Sequence, residues 1–252
     1  MDDINFIKEM FEKYQDKFKL LFKHINNPYI FKTILYWGSW HIDRFRPLNS
    51  SINVYEMVFL HKLVKIFKCY NCLEIGFATG VSAMTILNSI GKLLLKNPKK
   101  HGQLTSIDPF QVSAWHSYGK HNANVIVEQY QDRNVNLEHH LIETTSDPAL
   151  QRLIDDKKQY DMIFIDGGHD YETVKYDIEK SHQLIKNFGI IILDDVRHFD
   201  VKKALKEFLE HNKTWHRISI TKENKISYKK PDESKYNNPV TMFAYQVQKT
   251  KK

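Results

Sequence analysis

Apolar residues recur along this chain at two different spacings, and the change from one to the other outlines its architecture. Ile7, Met10, Phe11, Tyr14, Phe18, Leu21 and Ile25 return at helical spacing behind Asp2 and Asp3, residue types that cap helices. Acids and bases alternate on the opposite face. The stripe therefore suits packing against the rest of the chain, or a homo-oligomer contact, better than a membrane anchor. Val54 to Phe67 repeats the helical period. Between the two, Tyr36-Trp37-Gly38-Ser39-Trp40-His41 through Arg46-Pro47 is aromatic and basic without a clean period, and reads as a substrate lid or a packed connector.

From Asn71 onward, short apolar runs bounded by turn residues alternate with longer amphipathic ones, the pattern of buried parallel strands and crossover helices. Strands are predicted at Asn71 to Ile75, Leu104 to Ile107, Val135 to Leu141, Met162 to Ile165 and Ile190 to Leu193. Helices are predicted at Val81 to Leu95, Gly119 to Gln129, Ala149 to Lys157 and Tyr171 to Ile185, with a further one at Val201 to His211. Trp215 to Ile220 and Val240 to Val247 read as strands joined by the polar stretch Lys222 to Asn238, which fits an antiparallel pair at a sheet edge. The expected fold is α/β: a doubly wound, mostly parallel sheet with helices on both faces. An N-terminal helical segment with its linker, residues 1–53, precedes one such domain over residues 54–252.

Composition narrows the functional classes. Lys+Arg of 37 against Asp+Glu of 30 leaves a net charge of +7, so a basic surface could draw nucleic acid or an anionic substrate, although a solvated lysine-rich surface accounts for it more simply. Cys69 and Cys72 form a CxxC without a second pair, short of the four ligands that zinc normally takes. With Cys72 opening a strand, the pair reads as core thiols in a reducing compartment. The N-terminus lacks a basic region followed by an apolar core, and no run approaches the roughly 18 apolar residues of a membrane span. The expectation is a soluble, cytoplasmic protein without a membrane partner.

Chemistry gathers where the predicted strands end. Cys72-Leu-Glu-Ile-Gly-Phe-Ala-Thr-Gly80 places Glu74 and Gly76 at the C-terminal mouth of the first strand, where open α/β sheets bind ligands. The spacing is GxxxG rather than the GxGxxG of a pyrophosphate clamp, and the two glycines permit a tight turn with close backbone approach. Asp108 closes the second strand, placed either to accept from a ribose diol or to form the turn before Pro109. Thr144 or Ser146, after the third strand, is placed to meet an adenine, and Ser146-Asp147-Pro148 is equally a helix start. The densest signals are Tyr160-Asp-Met-Ile-Phe-Ile-Asp-Gly-Gly-His-Asp-Tyr-Glu-Thr-Val-Lys-Tyr-Asp177 and Phe188-Gly-Ile-Ile-Ile-Leu-Asp-Asp-Val196.

Taken in order, these segments resemble the class I S-adenosylmethionine (SAM) methyltransferases, of the group related to metal-dependent small-molecule and sugar O-methyltransferases. The resemblance runs from about Val54 to Ile218. Glu74-x-Gly76-x-x-x-Gly80 resembles motif I, and Asp108-Pro-Phe-Gln111 with Trp115, Gly119 and Asn122 is similar to one branch of the group. It implies a Rossmann-like, seven-stranded sheet with an antiparallel strand near its C-terminal edge. It also implies SAM held by Glu74, Gly76, Phe77, Gly80, Asp108, Ser146 and Asp166, and a divalent cation, Mg²⁺ or Mn²⁺, at Asp166, Asp194 and Asp195. Oxygen-only ligation suits such hard cations, and a bound cation lowers the pKa of an acceptor hydroxyl. Asp195 stands where catechol-type members carry Asn, and His169 where they carry a Lys base, so His169 and Asp166 are the catalytic candidates. His41, His116, His121, His198 and Lys175 are rivals for the base, and Trp37, Trp40 and Trp115 would wall a hydroxylated small-molecule acceptor. Two other readings stay open. One is an RNA ribose methyltransferase in which Asp166 and Lys186 belong to a Lys-Asp-Lys-Glu tetrad; the other is a catalytically silent SAM-fold binding protein.

Overall fold

The computed structural model describes residues 52–220, 225–228 and 241–249. The expected N-terminal helix, the linker carrying Trp37, Trp40 and His41, and most of the polar stretch 222–238 lie outside the described residues. The chain forms two compact units, one of Met1–Lys68, Ala78–Gly102 and Gln111–His139, the other of Cys69–Phe77, Gln103–Phe110 and His140–Lys252.

The first unit contains helices α1 (Val54–Phe67), α2 (Val81–Lys96) and α3 (Tyr118–Gln131). Helix α1 begins at a reciprocal cap: Asn53 N–H donates to Glu56 Oε2 at 2.8 Å and Glu56 N–H to Asn53 Oδ1 at 3.1 Å, so two otherwise orphaned donors are satisfied at once. Helix α2 is buried on nearly every face; its inward Thr85 and Ser89 hydroxyls are satisfied locally, whereas Asn88 Nδ2 has no hydrogen-bond partner among the described residues. Ser89 donates to Thr85 O at 2.6 Å and meets His61 Nδ1 of α1 at 2.7 Å. Burial pushes the His61 imidazole down to about 3, with Lys92, Lys65 and Lys62 adding to the fall. Gly91 lets Tyr130 of α3 lie directly on α2, since an added Cβ would come 2.4 Å from its ring, and the Tyr130 hydroxyl donates to Asn88 Oδ1 at 2.7 Å.

The second unit is built on strands. β1 (Asn71–Ile75), β2 (Gly102–Ile107), β3 (Leu137–Ile142), β4 (Tyr160–Ile165), β5 (Ile185–Leu193), β6 (Trp215–Ile220), β7 (Ile226–Ser227) and β8 (Phe243–Val247) form one eight-stranded sheet, ordered β3-β2-β1-β4-β5-β8-β6-β7. β1 pairs in parallel with β2 and β4, and β4 with β5; β8 runs antiparallel between β5 and β6. Helices α4 (Ser146–Asp155), α5 (Tyr171–Leu184) and α6 (Phe199–His211) contribute Leu150, Val174, Ile178 and Leu205 to a core with Ile163 and Ile191 of the central strands. The strand order reverses between β1 and β4. Their C-terminal ends are therefore the switch point where open α/β sheets accept ligands.

The alternating architecture follows the predicted pattern, with several element ends shifted by two or three residues and larger changes in strand count and at β5. The sheet has eight strands rather than seven, because Ile226 and Ser227 add a two-residue pairing to β6 inside the stretch that reads as polar. β5 begins at Ile185 rather than Ile190; its early residues Lys186 to Phe188 are exposed and lie in a register shift between the Tyr160–Ile185 and Met162–Ile190 pairs, where a Lys186 Nζ–Asp161 contact of 2.7 Å and a 2.9 Å hydrogen bond from Lys249 N–H to Asn187 Oδ1 hold them. Helix α4 starts three residues earlier than predicted, with Pro148 in its first turn, where a missing N–H costs nothing. Cys69 and Cys72 are free and buried, and burial raises both thiols well above their usual range.

Candidate active site

The ends of β1, β2, β4 and β5 carry the predicted chemistry in the second unit. Glu74 is fully buried in β1 opposite Ser106 of β2, whose hydroxyl donates to Glu74 Oε2 at 2.6 Å. Gly76 follows at φ 88°, a left-handed conformation that favours glycine. An added Cβ there would lie 1.9 Å from the carbonyl oxygen of Asp166, so glycine is demanded by the backbone of the neighbouring loop rather than only by a ligand. Asp108 is 4% exposed; its Oδ2 accepts from Phe77 N–H at 3.2 Å and its Oδ1 from Phe110 N–H at 2.7 Å. One carboxylate thus braces the loops after both β1 and β2.

Beyond β4, Asp166, Gly167, Gly168 and His169 form a loop closed by Asp170, which caps α5 by accepting from Thr173 N–H at 3.0 Å. That donor holds the Asp170 carboxyl below its ordinary range. Asp166 N–H donates to Ile75 O at 2.8 Å and Asp194 N–H to Ile165 O at 3.0 Å, which aligns the two strand ends. His169 Nε2 lies 3.0 Å from Asp195 Oδ2. Asp166, His169 and Asp195 each present a ligand atom within 4.8 Å of the others. Such a span is slightly wider than the roughly 4.4 Å that separates the most distant donors around one cation at about 2.0–2.2 Å, so a small closure would bring the set, an imidazole nitrogen and two carboxylates, onto one ion. Asp194, by contrast, is buried, and its Oδ1 accepts from Thr241 Oγ1 at 2.6 Å and from Asp195 N–H at 2.7 Å.

The first unit carries the other half of the glycine loop. Ala78 and Gly80 both have positive φ, 44° and 80°, and an added Cβ on Gly80 would lie 2.9 Å from Gly119 Cα at the start of α3. Gln111 Nε2 donates to Ala78 O at 2.8 Å and Asn122 Nδ2 to Thr79 O at 3.0 Å. Because those carbonyls only accept, the amide orientations follow. Gln111 is 1% exposed, and neither its Oε1 nor Thr79 Oγ1 finds a hydrogen-bond partner among the described residues. Orphaned buried polar atoms are uncommon in finished structures, and two on a glycine loop fit a loop that receives a polar ligand. Helix α2, whose Gly80 cap offers no side-chain acceptor, begins at the same place.

Residues 73–196 match a protein-family model described as a methyltransferase domain. Just under half of the chain thus resembles a methyltransferase domain. Over 192 residues the chain is 27% identical to a protein of Arabidopsis thaliana named tapetum-specific methyltransferase 1, covering 75% of this chain and 74% of that one. Among solved structures, the O-methyltransferase from Bacillus cereus in complex with SAH aligns with a TM-score of 0.55 at 16% identity, over 80% of this chain and 84% of that one. The apo structure of the TDP-rhamnose 3'-O-methyltransferase of calicheamicin biosynthesis aligns with a TM-score of 0.59 at 15% identity, over 94% of each chain. At these identities the likeness establishes the fold alone.

Within that domain the predicted residues separate. Asp166, His169 and Asp195 are brought together, whereas Asp194 turns one oxygen toward Thr241. The Ser146 hydroxyl lies beside the buried carboxyl of Asp177 on α5, outside hydrogen-bond geometry. His198 stacks at 5.5 Å from the His169 ring, and Lys175 lies 5.9 Å over the Tyr171 ring. His116 sits in the left-handed turn before α3, His121 is an exposed residue of α3, and Trp115 is half-buried beside that turn. Lys186 pairs with Asp161 at the opposite end of β4 from Asp166; five residues of strand put the two about 16 Å apart, so they cannot share a tetrad. Gln111 and Asn122 were visible in the sequence as a motif without a role, and Thr241 gave no signal at all.

Proposed function

We propose that this protein is a SAM-dependent O-methyltransferase acting on a hydroxyl of a small molecule or sugar, with help from a divalent cation. The observation that carries the reading is the convergence of Asp166, His169 and Asp195 at the switch point of a methyltransferase domain. SAM, when bound, supplies an electrophilic methyl group. In the second unit Glu74, Gly76, Phe77, Asp108, Ser146 and Asp166 are the proposed cofactor contacts, and in the first unit Gly80, joined now by Thr79 and Gln111, whose buried orphan atoms suit a polar ligand. The names of the related proteins support the same class, since the Arabidopsis relative is called a methyltransferase and the two structural neighbours O-methyltransferases.

His169 is the proposed general base. With Nε2–H directed at Asp195 Oδ2, the basic lone pair belongs to Nδ1, and the carboxylate stabilises the imidazolium formed when a hydroxyl proton is taken up. Asp166, Asp194 and Asp195 are the proposed cation ligands, and Mg²⁺ or Mn²⁺ fits carboxylate donors. A second reading is favoured by the 4.8 Å cluster itself, in which a His169 ring nitrogen is a ligand beside Asp166 and Asp195; the imidazole then favours Mn²⁺ over Mg²⁺.

Turnover of His169→Ala as a function of Mn²⁺ separates the two. A base role predicts a loss of about 10²–10⁴-fold that added metal does not restore. A ligand role predicts recovery at high metal. Full activity of the wild-type protein after exhaustive chelation would remove the cation from the proposal.

A further inference from the structure

Asp195 stands in an unusual backbone conformation. Its φ is 50°, a left-handed geometry that few non-glycine residues adopt and that persists where neighbours enforce it. The residues on either side of it are both held from one place. Thr241 Oγ1 donates to Asp194 Oδ1 at 2.6 Å, and Thr241 O accepts from Val196 N–H at 3.3 Å. Asp194 Oδ1 also accepts from Asp195 N–H at 2.7 Å, so two donors fix the rotation of that carboxylate and tie it to the strained residue. Thr241 comes from far along the chain, 47 positions after Asp194. It is delivered by the insertion of β8 beside β5, where Leu193 faces Phe243.

We propose that Thr241 is a positioning residue for the candidate active site, clipping Asp194 and Val196 so that Asp195 is held in its left-handed turn with its carboxylate against His169. The inference rests on the reading of Asp166, His169 and Asp195 as the catalytic cluster. Hydrogen-bonded supports of this kind commonly change metal affinity or activity by about 10–100-fold when removed. The hydroxyl is the part that matters: Thr241→Val keeps the shape and the backbone carbonyl but deletes the donor, and Thr241→Ser keeps the donor.

The test has a structural and a kinetic arm. In a crystal structure of Thr241→Val, Asp195 is expected to leave its left-handed conformation and the 3.0 Å contact with His169 to open. Thr241→Ser should retain both. Retention of the contact in Thr241→Val overturns the proposal. In the kinetic arm, Thr241→Val should lower kcat for methyl transfer about 10–100-fold with SAM affinity unchanged and Thr241→Ser near wild type; equal losses in kcat and SAM affinity in both variants would mark Thr241 as merely structural and also overturn it. An opened contact with undiminished kcat would instead remove the chemistry from this cluster while leaving the clip in place. Should Thr241→Val not fold, Thr241→Ala carries the same arms.

Discussion

Replacing Asp177 by asparagine should flatten the pH dependence of stability. Asp177 is fully buried on α5, neither carboxyl oxygen has a hydrogen-bond partner among the described residues, and Oδ2 would lie 3.6 Å from a Cβ on Gly167, in the loop carrying Asp166 and His169. Burial pushes its pKa from 3.8 up to about 7; the Ser146 hydroxyl offsets part of that rise and the Asp170 charge adds to it. The folded protein therefore keeps a proton that the unfolded chain releases. The associated stability is fully present below pH 3.8 and is lost as pH rises through 7, with a ceiling of about 4 kcal/mol at 1.36 kcal/mol per unit. Between pH 5 and pH 8 the loss comes to about 2–3 kcal/mol. His61 acts in the opposite sense, since a buried neutral imidazole loses stability as pH falls from 6.5 through about 3, so the wild-type profile alone mixes the two. Asp177→Asn cannot ionise and shares His61, and the difference between the two proteins isolates the carboxyl. Urea unfolding at pH 5, 6, 7 and 8 should show the wild type losing about 2–3 kcal/mol relative to Asp177→Asn as pH rises. Parallel profiles would refute the reasoning.

Gly76→Ala should destabilise the protein by about 2–4 kcal/mol, because a Cβ would overlap the Asp166 carbonyl and φ is positive; equilibrium unfolding checks it, and a change under 0.5 kcal/mol or so would show that the loop yields freely. Asp108→Ala removes the acceptor shared by Phe77 and Phe110 N–H. It should weaken SAH binding at least about tenfold in calorimetry, and unchanged affinity would take Asp108 out of the cofactor site.

The sequence exposed what local pattern encodes. β1 and α1 appear at their predicted bounds because an apolar run and a capped amphipathic stripe are properties of contiguous residues. A tight turn with close backbone approach at Gly76 and Gly80 was legible in the spacing, but not what approaches, since Asp166 O and Gly119 Cα come from remote parts of the chain. Asp166, His169 and Asp195 could be anticipated together because strand ends converge in a parallel sheet. The support from Thr241 could not, because it depends on β8 entering between β5 and β6, a register that no short-range periodicity carries. Exposed Lys186 to Phe188 concealed the start of β5 for a related reason: a register shift separates the single Ile185–Tyr160 pair that begins it from the apolar run at Ile190.

The central claim is transfer of a methyl group from SAM to a hydroxyl under control of the Asp166–His169–Asp195 cluster. The most direct measurement is mass spectrometry of a panel of small hydroxylated acceptors and sugars incubated with methyl-labelled SAM and Mn²⁺. Wild-type protein is predicted to label the hydroxyl oxygen of at least one acceptor, and His169→Ala and Asp195→Ala to label it at least about 100-fold more slowly. Labelling by both variants at the wild-type rate, or SAM binding by the wild type with no labelled product from any acceptor, would contradict it.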